Sequence, residues 1–318
     1  MSVLKLGRVL NALIERSPDF IFYRARYWQH HGRLCNFKTP RLFSEKIFHR
    51  MRYPQPAFSY LADKVAVRRY IAATVGKQYL VPVYQVCEDV SVATFDSLPE
   101  SFVMKANHSA GQVKIVRCKA QENLEALAQQ ARNWLASDFS IRHREKHYQA
   151  IRPKILFEKA LLDGGVPPDD YKCNVFNPGG GAEPFVFIQH MQGRLDRPSQ
   201  DIYLADWSFA PFGRLGKRAN ATPAPKPTQL DEMLRVAKTL VAPFGYLRVD
   251  FYLYQGQLYI GELTLTPAAG AYRFNPAEWD GLLGMEFGWP ERATLQDATL
   301  RAAFDMPADD ECRVGAGP

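Results

Sequence analysis

The chain is short of paired cysteines, of long apolar runs and, over its first seventy residues, of acid. Its five cysteines (Cys35, Cys87, Cys118, Cys173 and Cys312) are odd in number and scattered, with no CxxC pair. That spacing suggests neither a disulfide framework nor a zinc site, and it suits reduced thiols. No run approaches the roughly 18–20 apolar residues of a membrane span. Met1–Phe20 is broken by Lys5, Arg8, Glu15 and Arg16 and has no signal-peptide apolar block. A cytoplasmic location is therefore expected. The GxxxxGK[ST] phosphate loop is missing. Zinc-finger and RNA-recognition signatures are missing too, so nucleic acid is not expected as a partner.

Charge is uneven. The whole chain carries +7, yet residues 1–70 hold 14 Lys+Arg against 4 Asp+Glu, and the other 248 hold 26 against 29. A basic front of this kind suits an acidic small molecule or glycan, or proximity to an anionic membrane surface; a solvated basic face is the plainer reading.

At 318 residues and 47% hydrophobic content, the chain can bury one large core or two modest ones. Residues 1–56 read as mainly helical, with a helix beginning at Pro40 and closed by Pro54 and Pro56. Leu61 to Val75 continues with helical period to Gly76, and Tyr79–Val86 reads as an edge strand. Short strands follow at Ser101–Ala106, Val113–Cys118, Ile155–Glu158, Tyr171–Phe176 and Pro184–Met191. Glu122–Ser137 is an amphipathic helix, 211–228 a loop, and Thr228–Leu240 a helix. Helices first, then two antiparallel units separated by helices, make an α+β layout.

The chemistry concentrates in one hairpin. Arg248-Val249-Asp250-Phe251-Tyr252 runs to a turn at Gln255-Gly256 and returns through Tyr259-Ile260-Gly261-Glu262-Leu263-Thr264. A carboxylate at a position that alternation marks as buried is unfavourable without a cation, and two together cannot both stay ionised unaided. Mg²⁺, which takes one or two protein carboxylates along with substrate phosphates, would satisfy both. Arg248 could instead satisfy one of them. Register is decisive: a plain two-residue turn puts Asp250 and Glu262 on opposite faces, whereas a longer loop or a bulge puts them on one. The metal reading demands the second arrangement, and a plain two-residue Gln255-Gly256 turn is not expected.

Other candidates are weaker alone. Lys105 ends a strand and precedes the small-residue loop Asn107–Gly111, which can offer backbone N–H groups to an anion. Lys64 sits in Ala62-Asp63-Lys64, Glu158 ends an apolar strand, and Asp170 and Lys172 share a strand face.

In chain order these pieces resemble the ATP-grasp superfamily, and within it the TupA-like branch of cell-surface polysaccharide and teichuronopeptide biosynthesis. The resemblance spans roughly Pro18 to Gly284. It rests on Pro40-Arg41-Leu42-Phe43-Ser44-Glu45-Lys46, Ala62-Asp63-Lys64 and Phe102-Val103-Met104-Lys105-Ala106-Asn107-His108. Asp170-Tyr171-Lys172, Arg248-Val249-Asp250, Gly261-Glu262-Leu263-Thr264-Leu265-Thr266-Pro267 and Phe274-Asn275-Pro276 complete it.

It implies an ATP-grasp fold of two α+β subdomains clasping ATP, after a helical N-terminal region. It further implies that Lys64 and Lys105 contact the nucleotide phosphates, with Asn107, His108, Ser109 and Gly111 in a lid over them. Glu158 and Asp170 would meet adenine and ribose, with Lys172 beside them. Asp250, Glu262 and Thr264 would hold Mg²⁺, and Arg248 would stabilise the transferring group. His190, Arg194, Arg197 and Arg273 are substrate candidates. The expected division is a basic helical region over 1–60, a lid-bearing subdomain over 61–157, a metal-site subdomain over 158–290, and a C-terminal helix and tail over 291–318. The implied activity is ADP-forming ligation of a carboxylate, of uronic-acid type, to an amine donor. A sugar or small-molecule kinase, or an inactive nucleotide- or glycan-binding scaffold, are the alternatives.

Overall fold

Two antiparallel sheets divide the chain between them in a computed structural model that describes residues 11–192, 199–216, 220 and 222–291. In chain order the elements are α1 (Asp19–His31), α2 (Phe43–Arg52), α3 (Pro56–Ala62), α4 (Val67–Thr74) and β1 (Val83–Cys87). Then come β2 (Phe102–Ala106), β3 (Val113–Val116), α5 (Leu124–Leu135), α6 (Ser140–His143) and β4 (Ile155–Lys159). The second half holds β5 (Asp170–Phe176), β6 (Phe185–Gln192), β7 (Ser199–Leu204), β8 (Gly213–Arg214), α7 (Leu230–Val241), β9 (Tyr246–Tyr254), β10 (Gln257–Thr264), β11 (Phe274–Asn275) and α8 (Trp279–Glu286).

Of the two main sheets the smaller has the order β1-β4-β2-β3 and the larger β10-β9-β5-β6-β7, while β8 and β11 pair in a separate two-stranded one. Alternation assigns the faces of the smaller one. Phe102, Met104, Ala106, Ile155 and Phe157 pack with Leu127, Ala128 and Ala131 of α5. The intervening Val103, Lys105, Leu156 and Glu158 therefore face the other way. Helix α5 starts where the Asn123 side chain accepts the Ala126 N–H at 3.0 Å.

The larger sheet buries Cys173, Val175, Ile188, Leu247, Val249 and Leu263 against Leu230, Met233, Val236, Ala237, Leu240 and Val241 of α7. Its other face carries polar groups. Strand β7 was not foreseen from the sequence: Ser199, Gln200 and Asp201 break the apolar run before Ile202-Tyr203-Leu204.

The N-terminal helices have no core of their own. Phe43, Ile47, Phe48 and Met51 of α2 join Phe176, Phe187 and Tyr246 of the larger sheet, Phe274 of β11 and Phe287 just after α8. The ammonium of Lys46 donates to the Gly284 carbonyl at 2.7 Å and to that of Phe287 at 2.5 Å. Asp280 accepts from the Ser44 N–H at 2.8 Å and from its hydroxyl at 2.7 Å. Helix α2 begins at Phe43 rather than Pro40, because Glu45 folds back to accept the N–H groups of Arg41 and Leu42 at 2.9 and 3.2 Å.

The helical period over Leu61–Val75 is interrupted. Asp63 accepts from Val65 N and Ala66 N at 2.8 and 3.3 Å, ending α3 and starting α4 afresh. Lys64 therefore lies on a turn, not on a helix face.

Candidate active site

The hairpin places its two carboxylates together. Asp250 pairs directly with Glu262, and the register shifts between Ile260 and Glu262, with Gly261 as the extra residue. Tyr254 pairs with Gln257, so the Gln255-Gly256 turn is a plain two-residue one after all, both residues having positive φ (50° and 76°). The expectation about the turn is corrected; the required register comes from the bulge. Glycine leaves room there: a Cβ on Gly261 would sit 2.4 Å from the Tyr252 ring and force it to move.

On this face Glu262, Asp250 and Lys172 form one cross-strand row, and Thr264 and Arg248 form the next. Arg248 grips Asp250 with two hydrogen bonds, Nε to Oδ1 at 2.6 Å and Nη2 to Oδ2 at 2.8 Å. Lys172 Nζ donates to the same Oδ2. Burial alone would raise the Asp250 pKa, but the two cations outweigh it and hold the carboxyl below its usual range. Burial would likewise lower the Arg248 pKa, and Asp250 reverses that. Glu262 stands 4.0 Å from Arg248 Nη2 and is partly open to solvent.

The smaller sheet supplies the opposite wall. Lys105 and Glu158 form a buried ion pair. Desolvation pulls the Lys105 pKa down, but Glu158, with Tyr252 and Glu262, more than restores it, so the net shift is upward. Lys64 Nζ donates to the Ser109 carbonyl; burial lowers its pKa, and Glu262 opposes that. One cleft is lined by Lys64, Arg68, Lys105, Glu158 and Glu262, with Val67, Ile71, Leu80, Leu156, Ile260 and Leu263 as its apolar part. Residues some 200 positions apart in sequence thus meet between the sheets.

The loop after β2 is anchored at its start. Asn107 is buried, its amide donating to Asp63 at 2.9 Å and to the Arg152 carbonyl at 3.1 Å, its oxygen accepting Lys154 N–H at 2.7 Å. His108 and Ser109 are buried too, and burial lowers the His108 pKa. Only Ala110 and Gly111 (φ 85°) are exposed. Asn107 therefore frames Lys64, whose own N–H donates to the Asn107 carbonyl at 3.2 Å.

Asp170 is buried on the same face as Lys172, opposite Tyr252. His190 does not join the group: paired with Tyr171, it projects from the opposite face, stacks on that ring at 4.6 Å and contacts Asp169 at 3.1 Å. Arg273 is exposed and does not line the cleft; its charge adds to what lowers the pKa of His30 and His31 of α1, where burial is the first cause. Arg194 and Arg197 lie outside the described residues.

Two side chains were missed. Glu145 is buried, accepts the Thr266 hydroxyl, and has its pKa raised to about 7, by burial first and by Glu262 in addition. Tyr148, one turn later, is held strongly in its neutral form by burial and by Glu145 and Glu262. No periodic pattern marks this stretch, so the sequence offered no signal beyond the acid itself.

Among the described residues no three His, Cys, Asp or Glu side chains form a metal cluster. The candidate set is two carboxylates and a hydroxyl, and Thr264 Oγ1 is buried with no hydrogen-bond partner among the described residues. An orphaned oxygen beside paired carboxylates fits a hard cation that takes its remaining ligands from phosphate and water.

Two antiparallel sheets, a basic wall facing an acidic hairpin, define an ATP-grasp architecture. A family model described as TupA-like ATPgrasp matches residues 45–288, and the chain belongs to that family. Among solved structures it is similar to D-alanine–D-alanine ligase from Bacillus anthracis complexed with ATP, with 17% identity over 78% of this chain and 68% of that one (TM-score 0.39). It is also similar to a RimK domain ATP-grasp protein from Sphaerobacter thermophilus, with 13% identity over 73% and 69% (TM-score 0.39). For phosphoribosylamine–glycine ligase from Thermotoga maritima the figures are 12%, 67% and 50%, again with TM-score 0.39. No curated protein matches the chain.

Proposed function

We propose that the protein is an ATP-dependent carboxylate–amine ligase working through an acyl phosphate. The observation that carries this reading is the cleft in which Lys64, Lys105 and Glu158 of one wall face Glu262 of the other. Lys64 and Lys105 are disposed to neutralise the nucleotide phosphates; the apolar part of the cleft is nearly closed, with a free volume of about 20 Å³, and must open to admit a purine ring. Asp250, Glu262 and Thr264 would hold Mg²⁺, which when bound neutralises charge on the β- and γ-phosphates.

In the reaction, a substrate carboxylate oxygen attacks the γ-phosphorus and the bond to ADP breaks. An amine nitrogen then attacks the acyl carbon, phosphate leaves, and the nitrogen gives up a proton. Arg248 and Lys172 would stabilise charge on the transferring phosphoryl group, for which they must share or leave Asp250. A uronic-acid carboxylate on a cell-surface glycan precursor is the substrate class we favour, on family context and on the basic first seventy residues.

Hydroxylamine trapping tests the reaction type. With an accepted carboxylate, ATP and Mg²⁺, the expected result is ADP release together with a hydroxamate. ADP release with a stable phospho-product and no hydroxamate would make the protein a kinase. ATP binding indifferent both to Mg²⁺ and to Asp250→Asn would instead indicate a scaffold.

A further inference from the structure

Helix α1 is apolar on two sides, and only one has a partner among the described residues. Phe22, Tyr23 and Tyr27 are buried in the core beneath α2. Phe20, Ile21 and Trp28 point away from that core and are 50%, 43% and 57% exposed, with Leu34 just beyond the helix at 72%. Together with Arg24 and Ala25 they line one open groove. A surface helix ordinarily turns charge outward, so an apolar stripe ending in a tryptophan marks a contact surface.

Charge selects the occupant. Residues 1–38 hold seven Lys+Arg and two Asp+Glu. The two acids are already engaged, Glu15 by Arg26 and Asp19 by Arg144 and Lys146. Arg16, Arg24 and Lys38 are exposed and form no ion pair among the described residues. A second copy of the chain would bring a like-charged face against this one. The segment Met1–Leu10, with Lys5 and Arg8 and no acid, is equally cationic. An anionic lipid bilayer offers both what the arginines need and what the apolar side chains need.

We propose that this face of α1, with Leu34, docks the protein on an anionic membrane surface, Phe20, Ile21 and Trp28 entering the headgroup region and Arg16 and Arg24 meeting lipid phosphates. No helix among the described residues is long and apolar enough to cross a membrane, so the contact is peripheral. The proposal stands apart from the ligase reading, and its test involves no catalysis.

Full-length protein is sedimented with vesicles of phosphatidylcholine alone, or with about 30% phosphatidylglycerol added. Binding is expected to the anionic vesicles only, and to fall at least about tenfold between roughly 0.1 M and 0.5 M salt. Trp28→Glu/Leu34→Glu should lose binding by about tenfold or more while keeping the wild-type melting temperature, since both sites are exposed. Arg16→Glu/Arg24→Glu supplies an independent variant that leaves the apolar stripe intact and should lose binding likewise. Equal binding to neutral vesicles, no binding to either, or binding untouched by both variants would overturn the proposal. Self-association that the Trp28→Glu/Leu34→Glu variant abolishes, without vesicle binding, would assign the face to a second copy instead.

Discussion

Each cation of the site already has an acceptor within the protein. Lys105 is held by Glu158, Lys172 and Arg248 by Asp250, and Lys64 by the Ser109 carbonyl. Removing one member of a buried pair leaves the other uncompensated, which typically costs about 3–5 kcal/mol. Lys105→Met should therefore lower thermal stability as well as nucleotide affinity. Lys105→Met/Glu158→Leu should regain most of the stability while ATP affinity stays down about 30-fold, the equivalent of roughly 2 kcal/mol. Differential scanning calorimetry and titration with a non-hydrolysable ATP analogue separate the two; recovery of affinity in the double variant would show that Lys105 does not touch the nucleotide.

Glu145 gives the same scale a pH signature. Its folded-state pKa of about 7 lies above the ordinary 4.5, so over that interval the folded form holds the extra proton. Stability contributed by the neutral acid is then lost as pH rises from about 4.5 through 7, by up to about 3 kcal/mol. His147 acts the opposite way: burial lowers its pKa to about 3, so it gains stability as pH rises toward 6.5. The informative quantity is consequently the difference between proteins. Urea unfolding of Glu145→Gln in Mg²⁺-free buffer should show stability rising relative to wild type across that interval. Parallel curves would mean that Glu145 is charged in the folded state throughout.

Among the elements, the β9–β10 hairpin makes the strictest demand. Gly261→Ala drives a methyl group into the Tyr252 ring and should cost about 1–3 kcal/mol in urea unfolding, much of it recovered in Gly261→Ala/Tyr252→Leu. No recovery would place the strain in the backbone rather than in that contact. The hairpin also shows how far the sequence could be read. Alternation revealed both strands and both carboxylates, because a half-buried strand writes its faces into every second residue. The bulge was only implied, by the chemical need for Asp250 and Glu262 to meet, because one glycine within a strand fits several local geometries. The break at Asp63 stayed hidden for a related reason: apolar spacing carries through it, and only the Asp63 side chain, acting on Val65 and Ala66, ends the helix. Glu145 sits outside any periodic element, where its burial depends on packing that sequence does not express.

At the scale of the molecule, the N-terminal helices hold the acidic wall in place. Arg50, 1% exposed, donates to the Tyr246 carbonyl at 2.8 Å and to the Leu265 carbonyl at 2.9 Å, and pairs with Glu291. Tyr246 opens β9 and Leu265 follows β10, so one guanidinium spans the open end of the hairpin. Arg50→Met should lower stability by about 3–5 kcal/mol through the stranded Glu291 and two unpaired carbonyls. It should also weaken Mg²⁺-dependent nucleotide binding although Arg50 lines no part of the cleft. Loss of stability with undiminished binding would show that the hairpin keeps its shape unaided.

That arginine carries a consequence for how the protein comes into being. Glu291 lies 241 residues downstream of Arg50. At the usual pace of synthesis the interval is on the order of 10–50 s. For most of it, α2 is complete while the strands it will clamp are still untranslated, and Lys46 waits equally long for α8. The clamp on the hairpin is therefore complete only once Glu291 has been made, and until then the first helices carry apolar and cationic side chains with nowhere to go.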